Sequence, residues 1–246
     1  MDIISEILLQ KGERVVLARV LLAYRLPFRK YPKFGTWSYL LDAGEEVVIF
    51  DTGPRRYNFA PFFANLRSLT YNSSRIMAAC DLYYPGKPIR EIILSHYHFD
   101  HAEVAPELQS LAAQRFGELP PIRIHEADFE GNKFLHLFNY NLAKVYEKAK
   151  YKEWLLGDFV KDDEEIGGTD FIIKHLPGHT SGTIGLYNEP DQIMICDWGI
   201  RDLKGLLALG LKFVNEANAQ LRDSHQWLKE LDYTFYHFHP DVEDYL

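Results

Sequence analysis

The stretch EIILSHYHFDH, residues 91–101, decides how this chain is read. Glu91 to Ser95 is a short apolar run of the kind that forms a buried strand, and His96, His98, Asp100 and His101 follow at once. Imidazole and carboxylate are the donors that zinc, iron and manganese accept. Where an extended chain leaves a strand, His96 and His98 point to one side, and turning into a helix aims Asp100 and His101 at a neighbouring position. One strand end can then serve two metal positions. The plain alternative is a polar loop rich in imidazole.

Outward from this segment, Glu103 to Phe116 reads as a helix with Val104, Leu108, Leu111 and Ala112 on one face. Upstream, Glu13 to Leu22, Thr36 to Leu41 and Glu46 to Asp51 read as strands, the last ending on a DTG turn, and their succession without helices implies antiparallel pairing. Phe59 to Leu66 and Ser73 to Leu82 read as helical, and Tyr24 to Phe34 as a long loop that is both basic and aromatic. Downstream, Ile122 to His125, Phe171 to His175, Thr183 to Tyr187, Gln192 to Cys196 and Tyr233 to Phe238 read as strands, and Val214 to Leu231 as an amphipathic helix. Phe134 to Lys150 is expected to be helical, part of an aromatic insertion at about 129–159 whose Phe134, Phe138, Leu142 and Val145 fall at helical spacing. That stripe either faces the core or forms a lid or dimer contact. No repeat or linker marks a boundary, so residues 1–246 are expected to be one domain.

Three more strand ends carry donors: Gly178-His179-Thr180, Asp197 after Cys196, and the pair His237 and His239. Each alone is weak, because a single histidine at a strand end is more often hydrogen-bonded than metal-bound. Their joint occurrence is the signal. Cys196 alternates away from Asp197 and reads as a packed thiol.

Composition narrows the partners. Lys and Arg total 27 against 35 Asp and Glu, a net charge of −8, which gives polyanions no global attraction and makes nucleic acid an unexpected partner. No apolar run is long enough to span a bilayer. Two cysteines, Cys80 and Cys196, are too few for a disulfide framework, so a soluble cytoplasmic protein is expected.

Taken in order, Asp51-Thr52-Gly53, the HxHxDH of His96 to His101, Gly178-His179-Thr180, Asp197 and His239 resemble the motifs of the metallo-β-lactamase superfamily, which includes glyoxalase II, acyl-homoserine lactonases and ribonuclease Z. The resemblance implies an α/β fold, a four-layer αβ/βα sandwich with a metal site at one edge between the sheets. It implies that His96, His98 and His179 hold a first metal, that Asp100, His101 and His239 hold a second, and that Asp197 bridges them. The cofactors are then two divalent ions, zinc foremost, with iron or manganese as alternatives. Asp51 stands either behind a histidine ligand or as a turn cap. His239 is preferred to His237 because His-Pro-Asp is closer to the family's terminal region.

The expected reaction is attack by a metal-bound hydroxide on a small ester, lactone, thioester or amide, with the catalytic Asp100 orienting that nucleophile and taking its proton. Arg55, Arg56 and Trp198 are the candidate substrate contacts, although a solvated loop is the favoured reading of the two arginines, and Trp198 stands in a region where lactonases usually carry a Tyr. The rivals are a one-iron oxidoreductase resembling persulfide dioxygenases, a phosphodiesterase or nuclease of the same superfamily, and a binding protein with a vestigial site. The partner expected is a small molecule, with a homodimer as a further possibility.

Overall fold

The computed structural model describes residues 3–23, 35–54, 72–129, 132–134, 138–140, 146, 154–197 and 218–239. Its first sheet has six strands in sequence order, β1 (Ser5–Lys11), β2 (Arg14–Ala23), β3 (Gly35–Asp42), β4 (Val47–Phe50), β5 (Ile89–Ile93) and β6 (Ile122–Arg123). The first four pair antiparallel, whereas β4, β5 and β6 run parallel with helices between them. Those helices are α1 (Asn72–Tyr83), the single turn α2 (Phe99–Ala102) and α3 (Ala105–Phe116). Pro106 opens α3 and Gly117, in the left-handed conformation, closes it by donating its N–H to the Ala113 carbonyl.

After β6 come a short helix α4 (Glu126–Phe129) and a hairpin, β7 (Asn132–Phe134) with β8 (Phe138–Tyr140). The second sheet contains β9 (Ile172–His175), β10 (Ile184–Asn188), β11 (Ile193–Ile195) and β12 (Thr234–Tyr236), in the order β12-β11-β10-β9. The amphipathic helix α5 (Asn218–Lys229) precedes β12.

The period-two alternation of strands sorts the core into three layers of side chains. Leu40, Val47 and Ile49 face outward against Ile76 and Cys80 of α1 and Leu108 and Ala112 of α3. Their neighbours Leu41, Val48 and Phe50 face the other way, against Ile173, Ile184, Leu186 and Ile195 of the second sheet. Met194 and Cys196 point to the far side, against Leu228 of α5. Helices, sheet, sheet and helix thus form the four-layer α/β sandwich that the motifs implied, and the continuous apolar run of β4 is explained by burial on both faces.

Two elements differ from expectation. The edge strand β1 lies in a segment not expected to be a strand, because its burial alternates irregularly and it pairs through register shifts near Ile7 and Leu9. Where a helix was expected from Phe134, residues 132–140 instead contain a hairpin with Phe134 opposite Phe138. The aromatic residues Phe134, Phe138 and Tyr140 are of a type enriched in strands, and the four-residue spacing of Phe134 and Phe138 fits a hairpin pairing as well as a helix. Of the rest of that insertion, Tyr146 is buried and donates its hydroxyl to the Ala102 carbonyl at 2.9 Å, while Leu142, Val145 and the span 147–153 lie outside the described residues.

Candidate metal centre

Asp51, His96, His179, Asp197 and His239 all sit just past the carboxyl ends of strands, β4, β5, β9, β11 and β12 respectively. Side chains at those ends converge on the crevice between the sheets. Phe238 fills the base of that crevice, fully buried against Tyr39, Phe50 and the His101 ring.

The structure brings together all seven candidate ligands in three adjoining groups: His96, His98 and His179; His96, His101 and Asp197; and Asp100, His101 and His239. Within each group the donor atoms lie within 4.8 Å of one another. The Asp197 carboxylate stands 3.9 Å from His96 Nε2, 3.7 Å from His101 Nε2 and 3.7 Å from His179 Nε2, which makes it central to the set. His101 Nε2 and His239 Nε2 approach Asp100 at 3.8 and 3.9 Å. His237 is buried and joins none of the three groups, whereas His239 joins the third.

The hydrogen-bond pattern shows which ring nitrogens face inward. His101 Nδ1 donates to Asp51 Oδ2 at 2.7 Å, which aims Nε2 toward Asp100 and Asp197. Ser95 Oγ donates to the same Asp51 oxygen at 2.6 Å and stands 2.9 Å from His96 Nδ1, which turns His96 Nε2 inward, 3.0 Å from His98 Nδ1. The DTG turn completes this support, since the Thr52 and Gly53 N–H groups both donate to the His101 carbonyl. Gly53 has φ of 75° and a Cβ there would come 2.5 Å from Leu22, so both conformation and space call for glycine.

Asp51 thus bonds His101 directly and reaches His96 through the Ser95 hydroxyl. Ser95 was not singled out in the sequence, although its place directly before the motif was a usable signal. Asp128, which binds both histidine-bearing loops, left no signal at all.

Electrostatics fit a cation. Burial, reinforced by neighbouring imidazoles, pushes His96 and His98 well below the ordinary histidine range, so both rings are neutral donors at pH 7. Burial alone would lower His101 too, but Asp100 and Asp51 outweigh it and raise the group to about 9 in the absence of metal. Burial raises Asp51, with His101 and Ser95 pulling it back. The neutral rings of His96 and His98, with Nε2 of one 3.0 Å from Nδ1 of the other beside the Asp197 carboxylate, are an arrangement that a divalent ion satisfies. Exposure is graded: His96 and His179 side chains are 0% and 5% exposed, whereas Asp100 and His239 are 22% and 33% exposed. The site opens on the Asp100 and His239 side. Arg55, Arg56 and Trp198 lie outside the described residues.

Fold and site together define an α/β sandwich with a histidine and aspartate cluster at the carboxyl edge of its sheets. The metallo-beta-lactamase superfamily matches residues 31–196, and the chain belongs to it. No curated protein sequence matches. Solved structures share the fold at low identity. A mutant of the B. thuringiensis AiiA protein with N-decanoyl-L-homoserine bound at its active site is 20% identical, covering 87% of this chain and 84% of that one, with a TM-score of 0.56. An N-acyl homoserine lactone hydrolase with N-hexanoyl-L-homoserine at its catalytic metal centre is 21% identical, covering 87% and 84%, with a TM-score of 0.55. The flavodiiron core of Flv1 from Synechocystis sp. PCC6803 is 13% identical, covering 97% of this chain and 56% of that one, with a TM-score of 0.59.

Proposed function

We propose that this chain is a hydrolase dependent on two divalent metal ions, acting on a small ester, lactone, thioester or amide. His96, His98 and His179 would hold one ion, Asp100, His101 and His239 the other, and Asp197 would contribute to both. The observation that carries this reading is that the three donor groups adjoin and share His96 and His101, so seven side chains form one continuous set. A one-metal site needs no more than four protein ligands.

Bound divalent ions supply Lewis acidity and lower the pKa of a bound water toward about 7. The chain's own residues do the rest. His101 is held by Asp51 with Nε2 inward, and His96 by Ser95 likewise. Asp100, at the open side, orients the attacking water and takes its proton on the carboxylate. The enclosed side, where His96, His98 and Tyr97 are buried, excludes bulk water. The net charge of −8 favours a small substrate over nucleic acid. The two lactone-hydrolase relatives, which carry acyl-homoserine ligands at their active sites, support a small acyl substrate.

Elemental analysis of the purified chain, with assays on chromogenic esters, lactones, thioesters and amides, tests the proposal. About two ions per chain are expected, with turnover abolished by chelation and by His98→Ala and restored to the wild type by added metal. Full turnover without metal overturns it. One iron per chain with oxygen uptake replaces it by the oxidoreductase reading.

A further inference from the structure

The buried carboxylate of Asp128 lies outside the ligand set, yet it touches both loops that carry the enclosed histidines. Asp128 sits on α4 and is 0% exposed. Its Oδ2 accepts the Tyr97 N–H at 3.2 Å and the Thr180 hydroxyl at 2.7 Å, and its Oδ1 accepts the Gly182 N–H at 2.6 Å. Tyr97 is the residue between His96 and His98, and Thr180 follows His179. One carboxylate thus joins the two backbones from which the three histidines project, far apart in sequence but adjacent in space.

Several features show that the approach is built for this contact. A Cβ on Gly182 would come 2.6 Å from Asp128 Oδ1, so only glycine lets the loop reach the carboxylate. Thr183 Oγ1 accepts the Thr180 N–H at 2.8 Å and lies 2.7 Å from the Thr180 hydroxyl, fixing the rotamer that meets Asp128. From the opposite side, α5 seals the loop: Ser224 donates its hydroxyl to the Pro177 carbonyl at 2.9 Å, and a Cβ on Gly178 would strike the Leu221 backbone. The His179 loop is therefore held between Asp128 and α5.

We infer that Asp128 is a positioning residue for the metal centre, which sets the spacing of His179 against His96 and His98 by bonding both of their loops. It touches neither metal nor substrate and acts through the three histidines. The inference rests on the reading of those histidines as ligands. Groups that orient metal ligands typically govern affinity by about 10- to 100-fold, which sets the expected effect.

The test is titration of the metal-free full chain with cobalt(II) alone, following its visible d–d absorption, with zinc(II) competition for affinity. Asp128→Asn keeps the shape but replaces one acceptor oxygen by an amine that faces a donor. It is expected to weaken the tighter cobalt site about 10- to 100-fold and to alter the d–d spectrum. Asp42→Asn is the stability control, since Asp42 is a buried carboxylate paired with Arg14 and Lys87 at the far end of β3. It is expected to lower the melting temperature while leaving affinity and spectrum as in the wild type. If Asp128→Asn does not fold, Thr180→Val removes one of the three donors and is judged by the same criteria. Wild-type affinity and spectrum in the folded variant overturn the positioning role whatever its melting temperature. A wild-type chain that takes up neither cobalt nor zinc overturns the metal reading itself, and this inference with it.

Discussion

Replacing Asp51 by Asn tests whether the hydrogen bonds behind the histidines govern their chemistry. Asp51 has φ of 65°, a conformation that Asn tolerates as well as Asp does, so the exchange adds no backbone strain. In the wild type its carboxylate accepts three bonds, from the Ser95 N–H at 2.7 Å, the Ser95 hydroxyl at 2.6 Å and His101 Nδ1 at 2.7 Å. An amide has one acceptor oxygen. If that oxygen stays on the Ser95 N–H, the amide nitrogen faces Ser95 Oγ and His101 Nδ1, and His101 meets it best by accepting. The neutral ring then keeps its proton on Nε2, the atom that faces Asp100 and Asp197.

Hydrogen bonds to charged groups contribute about 1.5–3 kcal/mol each, and two are lost, but relief of burying the carboxylate offsets part of that. A net loss of about 1–3 kcal/mol in the metal-free protein is the expected stability effect. Affinity for the ion held by His101 should fall about 10- to 100-fold, because a protonated Nε2 cannot coordinate. Metal competition titrations measure the second effect, urea denaturation the first, and nitrogen-15 NMR of the imidazoles the tautomer. An unchanged His101 tautomer together with unchanged affinity would refute the reasoning, whatever happened to stability.

Three further outcomes are expected. Phe238→Ala opens a cavity among Tyr39, Phe50 and His101 and should cost about 3–5 kcal/mol by urea denaturation; a loss below about 1 kcal/mol would show that the site base does not depend on it. Burial pushes the Cys80 thiol up to about 12 and Cys196 well above its ordinary value, so neither should react with a disulfide reagent at pH 8 until the chain is denatured, and rapid labelling of native protein would contradict this. Burial and the stacked His175 ring, 4.1 Å away, lower the His125 pKa from 6.5. The unfolded chain then binds a proton more readily than the folded one, so this group's contribution is complete above 6.5 and is lost as pH falls from 6.5 toward the lower folded value. Melting temperature against pH should therefore slope less steeply in His125→Asn, and parallel curves would exclude the assignment.

Much of the architecture was legible because burial and period leave marks in a sequence. The EVVIFD and EIILS runs announce strands buried on both faces, and β4 and β5 are such strands. The insertion after α4 was misread because Phe134 and Phe138 satisfy a four-residue spacing as well as a hairpin pairing, and spacing alone does not separate them. Ser95 and Asp128 escaped for a different reason. A buried serine or aspartate is ordinary in composition; Ser95 had only its place before the motif to mark it, and its partner Asp51, 44 residues away, shows what it does.

By itself the sequence determined which chemistry is present: the donor types, their spacing, and the order in which strand ends deliver them. Only the tertiary structure gave the distances that draw those seven donors together and showed which ring nitrogens face inward. The physical reason is that periodicity and ligand spacing are local properties, carried by neighbours in the chain. Convergence and tautomer choice depend on hydrogen bonds between segments that only the closed sandwich brings within 3 Å, as Asp51 and His101 are at 2.7 Å.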